Sequence, residues 1–111
     1  MKNHPATYVL IWEFQVRAGK EREFERVYGS QGDWARSFAQ SSGYLGTELH
    51  RDATTRGRYV TIDRWTSREA YETFRSQHRT AYQELDARCE ALTEQETPLG
   101  AFYSLGEPLR P

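Results

Sequence analysis

Residues 59–74 read YVTIDRWTSREAYETF, and two different periodicities meet inside this stretch. The segment from Arg58 to Trp65 is rich in β-branched and aromatic residues and reads as a strand. Thr66, followed three residues later by Glu69, has the capping-box pattern that opens a helix. Beyond it, Tyr71, Phe74, His78, Tyr82, Leu85, Cys89 and Leu92 recur at steps of three and four. That spacing places all seven on one helical face. A continuous helix over 67–93 would run about 40 Å, whereas the strands span only about 25 Å. The length mismatch predicts a break near Ser76–Thr80.

Upstream, YLGTELHR (44–51) is a second strand, joined to the 58–65 strand through the polar loop DATTRG as a hairpin. Tyr8, Leu10, Trp12, Phe14 and Val16 alternate along the first strand and give it one strongly apolar face. Its other face begins with Val9 and Ile11 before turning to Glu13. Two helical pieces follow, near 20–28 and 33–41, with Asp33 placed to cap the second. Pro98 ends the last helical region, and GAFYSL (100–105) is a short final strand.

The order strand, helix, strand, strand, helix, strand predicts an α+β protein with the ferredoxin-like split βαβ (βαββαβ) arrangement. In it, a four-stranded antiparallel sheet is covered by helices on one face. The uncovered face, bearing Val9 and Ile11, is expected to meet a second copy in a two-fold dimer. The 111 residues make one domain, with an ordered core over about 7–105 and short tails.

Fifteen Lys and Arg against sixteen Asp and Glu, both signs dispersed, provide no basic patch for nucleic acid. No stretch approaches the roughly 18 to 20 apolar residues of a membrane span. The single Cys89 excludes an internal disulfide, and a cytoplasmic location is the expectation. The chain has no G-x-S-x-G, P-loop, G-x-G-x-x-G, H-E-x-x-H or C-x-x-C motif.

His78, on the apolar face near the predicted break, is the candidate proton-transfer group, because an imidazole titrates in the useful range. It equally suits a hydrogen-bonded structural histidine. His4 and His50 form no i, i+4 pair, so a metal site has little support. Trp65, Tyr71 and Trp34 are each either pocket walls able to stack a planar ligand or core anchors. Glu13, Asp63 and Arg64 are charges within strands. Glu13 is placed for the dimer interface, with Arg64 as its candidate partner or as an anion clamp, and exposed ion pairing is the simpler alternative.

The segments YVLIWEFQV, GKEREFERVY, GYLGTELHRD and YVTIDRWTSREAYETF together resemble the antibiotic biosynthesis monooxygenase (ABM) family of the dimeric α/β-barrel superfamily, over about residues 7–105. The resemblance implies a homodimer built by sheet packing and a pocket between sheet and helices. It also implies oxidation of an anthrone-like or hydroquinone-like aromatic by molecular oxygen with no bound cofactor. In such relatives a Trp ending the third strand and a Tyr in the next helix line the cavity, and Trp65 and Tyr71 occupy those positions here. A haem-degrading branch has an Asn on the first strand and a Trp and a His in the later helices. This first strand has no Asn, and Phe74 and Glu84 stand at the other two positions. A non-catalytic dimeric module that binds a small molecule or serves assembly is the competing expectation.

Overall fold

The computed structural model describes residues 6–105. Strand β1 (Tyr8–Val16) leads into helices α1 (Glu21–Tyr28) and α2 (Asp33–Phe38). The hairpin of β2 (Tyr44–Arg51) and β3 (Arg58–Trp65) follows, then helices α3 (Arg68–Gln77) and α4 (Arg79–Cys89), and finally β4 (Thr93–Tyr103). The strands form one antiparallel sheet in the order β2-β3-β1-β4. This is the α+β, ferredoxin-like arrangement expected from the element order.

Strand alternation sets which side chains meet the helices. From β1, Phe14 packs on Phe24 and Tyr28 of α1, with ring centroids 5.2 and 4.9 Å apart. From β3, Tyr59 meets Phe24, and Trp65 meets Tyr71 and Phe74 of α3. Phe38 of α2 touches both Trp65 and Phe74, so one aromatic net joins the helices to the sheet. Trp65 and Phe24 are fully buried. The opposite sheet face carries Ile11, Val60 and Ile62, each only half-buried within one chain. Leu45 and Phe102 are exposed.

Several local details differ from the sequence reading. The long helical region does break, at His78, whose φ of −119° and ψ of 31° lie outside the helical range. Ser67, not Thr66, is the N-cap of α3, and its hydroxyl accepts from the Ala70 amide at 3.0 Å. Asp33 does not cap α2. It is the first residue of that helix, after the N-cap Gly32, and its carboxylate meets Arg36 at 3.1 Å and Arg26 at 3.7 Å. Helix α2 ends at Phe38 and α4 at Cys89, both earlier than their periodicity suggested.

The last strand is the largest difference, since β4 begins at Thr93 and runs eleven residues. Its first half, TEQET, lacks an apolar alternation because β4 is an edge strand with little to bury. Pro98 is tolerated for the same reason, an edge strand having one side free of partners. Three register shifts bend the sheet: one skips Leu45 opposite β3, and two lie in β4 opposite β1, skipping Leu99 and Glu94. Each bulged leucine precedes a glycine with positive φ, Gly46 at 152° and Gly100 at 140°.

Candidate functional site

A partly open cavity of about 270 Å³ lies between the sheet and the helices. Trp12 and Phe14 of β1, Thr47 of β2 and Thr61 and Asp63 of β3 line its sheet side, with Glu96 of β4. The helices contribute Tyr28, Trp34 and Phe38, together with Arg75, Tyr82 and Asp86. Its size is just under the roughly 300–1,000 Å³ common for ligand pockets, which suits a compact molecule.

Trp34 forms the aromatic wall, with Tyr82 edge-on at 4.9 Å and Phe38 at 5.7 Å. Its indole Nε1 is buried and makes no hydrogen bond among the described residues, as is also true of Trp65. Arg75 lays its guanidinium over the Tyr82 ring, 3.8 Å from the centroid, and donates to the Tyr71 hydroxyl at 3.0 Å. This cation–π contact pins the arginine beside the cavity. Burial pushes the Tyr28 and Tyr82 hydroxyls well above the ordinary phenol range, so both stay protonated at neutral pH.

Asp63 is the buried acid of the site. Tyr59, Thr61, Asp63 and Trp65 share the inward face of β3, so the register that buries Trp65 also carries a carboxylate inside. Its Oδ1 accepts from the Thr47 hydroxyl at 2.7 Å, and the Tyr44 hydroxyl lies 2.6 Å from the same Thr47 oxygen. Thr47 has one proton and gives it to Asp63, so Tyr44 is the donor in the second bond. Burial raises the Asp63 pKa to about 6, partly offset by the Thr47 bond.

Among the sequence candidates, Trp34 lines the cavity. Tyr71 stands one contact away, through Arg75, and Trp65 is fully buried behind the wall, in contact with Phe38. His78 does not join them: its ring stacks on Phe74 at 4.9 Å, and it is absent from the cavity lining. Glu13 pairs with Arg58 at 2.9 Å rather than with Arg64, which binds Glu48 at 3.1 Å. Both pairs follow from cross-strand proximity on the outer sheet face. His50 meets Glu48 at 3.0 Å, and His4 lies outside the described residues. Among the described residues no group of three or more His, Cys, Asp or Glu could hold a metal ion.

Trp12, Arg75 and the role of Asp63 were not singled out as site features from sequence. Trp12 is half-buried on the strongly apolar face of β1, because the cavity opens in front of it. Parity was the available signal for Asp63, which shares the inward face with Tyr59 and Trp65.

A sheet with one helical layer and an aromatic cavity between them defines a small ferredoxin-like protein with an internal cavity. Residues 7–88 match the family model described as antibiotic biosynthesis monooxygenase, and the chain belongs to that family. No curated protein matches it in sequence. Among solved structures it is similar to SnoaB of Streptomyces nogalater, a cofactor-independent oxygenase, with a TM-score of 0.70 and 23% identity over 92% of this chain and 96% of that one. A Bordetella bronchiseptica protein provisionally described as an antibiotic biosynthesis monooxygenase superposes with a TM-score of 0.66 at 20% identity, over 93% and 99% of the two chains. A Nitrosomonas europaea protein of unknown function gives 0.70 at 13% identity, over 98% and 99%. At these identities the structural likeness establishes the fold.

Proposed function

We propose that the protein is a cofactor-independent monooxygenase that oxidises a small planar aromatic, anthrone-like or hydroquinone-like, with molecular oxygen. The observation that carries this reading is the cavity itself: Trp34 and its aromatic neighbours line an apolar space between sheet and helices in a member of this family. An ionised phenol or enol can itself reduce oxygen, so the site need only remove a proton, hold the ring and exclude water. For an anthrone the balance closes without an external reductant. The CH₂ group and O₂ become C=O and water.

Trp34 is assigned as a wall against which the ring stacks. Trp65 and Tyr71 support that wall from behind, and His78 is given no chemical role because it stacks on Phe74 outside the cavity. The functional unit is proposed to be a homodimer, with Ile11, Val60 and Ile62 covered by a second copy.

The test is oxygen uptake with a panel of anthrones and hydroquinones, alongside titration calorimetry of the corresponding quinones. Uptake without added cofactor supports the monooxygenase. Calorimetric binding with no uptake across the panel would instead favour a non-catalytic module using the same cavity.

A further inference from the structure

We propose that Asp63 is the proton acceptor of this cavity, held in place by Thr47 and Tyr44. The inference rests on the cavity being the site of oxidation, and it assigns the one buried carboxylate that lines it. Asp63 is 8% exposed and makes no salt bridge among the described residues. Of its two oxygens, Oδ1 accepts from Thr47, whereas Oδ2 makes no hydrogen bond among the described residues and is left to whatever occupies the cavity. The Tyr44–Thr47 chain fixes the carboxylate plane without satisfying it.

The other groups around the cavity are poorer bases. Tyr28 and Tyr82 remain protonated and Arg75 has no accepting atom. Glu96, whose carboxyl pKa burial also raises, and Asp86 both line the cavity but are more exposed than Asp63 and are not held by a Thr–Tyr chain. A carboxylate whose pKa is raised to about 6 by burial is both ionised near neutrality and basic enough to matter.

In the proposed cycle, ionised Asp63 takes the acidic C–H or phenolic O–H proton of the ring system, and the electron pair stays on the ring as an enolate or phenolate. For an anthrone, that anion gives one electron to O₂, and the resulting carbon radical and superoxide combine to form a C–O bond. Asp63 returns its proton to the peroxide anion, which restores the carboxylate. Loss of water from the hydroperoxide, with cleavage of the O–O bond and departure of the remaining C–H proton, leaves the ketone of the quinone.

Proton abstraction can be read apart from oxidation. The measurement is anaerobic exchange of the anthrone CH₂ protons for solvent deuterium, followed by NMR with the intact protein and with Asp63→Asn, against a protein-free background. Asparagine keeps an acceptor for Thr47 and so preserves the local fold, which circular dichroism checks. The expected result is exchange accelerated by the native protein and reduced about 10² to 10⁴-fold in Asp63→Asn. Exchange that survives in Asp63→Asn, or no acceleration by the native protein, overturns the assignment. Accelerated, Asp63-dependent exchange without aerobic oxygen uptake would uphold Asp63 while removing the monooxygenase reading.

Discussion

Burial of Asp63 carries an energetic cost whose sign can be worked out. Its pKa is 3.8 in the unfolded chain and about 6 when folded, so the folded state binds the proton more tightly. Well below pH 3.8 both states are protonated and the group is neutral with respect to stability. As pH rises through 4 to 6, the unfolded chain ionises first, and the native protein loses on the order of 3 kcal/mol that is not regained at higher pH. Asp63→Asn is therefore expected to melt several degrees higher than the native protein at pH 7.5, with the difference shrinking towards pH 4. Melting curves at the two pH values check this, and an Asn variant that is less stable at pH 7.5 would contradict it. Thr47→Val removes the hydrogen bond that, among the described residues, lowers the Asp63 pKa. The rising limb of the pH–rate profile in that variant is expected to move to higher pH.

At the scale of the element, β3 shows why the site was only half legible. The strand bounds 44–51 and 58–65 and the helix break could be read directly, since aromatic periodicity and turn chemistry agreed there. Within RYVTIDRW, however, both faces carry apolar residues, Val60 and Ile62 on one and Tyr59 and Trp65 on the other. Hydrophobicity alone does not say which face is the core, and Asp63 looked like an ordinary strand charge. His78 lies in the helical stripe, but the stripe passes through a junction where its ring stacks on Phe74, and His78 is not among the residues lining the cavity. The start of β4 was hidden because an exposed edge strand has no alternation to detect.

Two substitutions separate support from contact at this scale. Trp65→Ala should cost about 3–5 kcal/mol in a denaturant titration, as expected for a large buried aromatic, whereas Tyr71→Phe should cost under about 1 kcal/mol because only its exposed bond from Arg75 is lost. Equal losses would refute the division between them. Ser67→Ala should cost about 1 kcal/mol by removing the cap on α3.

For the whole molecule, the unanswered demand is the outer sheet face. Ile11, Val60 and Ile62 form an apolar centre, flanked by the Glu13–Arg58 and Glu48–Arg64 pairs. A charged rim around an apolar centre is the layout of a specific interface. Light scattering at micromolar concentration should give twice the 13.0 kDa protomer mass, and Ile62→Lys should return the protomer mass with an unchanged circular dichroism spectrum. A native protein that scatters as a protomer would remove the dimer.

The positions of the three tryptophans also give the molecule an optical character of its own. Trp12 and Trp34 line the cavity, while Trp65 is fully enclosed and separated from Trp34 by Phe38. Fluorescence from the native protein should thus be blue-shifted by indoles held away from water, and a flat absorbing guest should quench Trp12 and Trp34 more strongly than Trp65. Unfolding reports on all three at once, so filling of the cavity and loss of the fold leave different spectral marks, and neither requires a label.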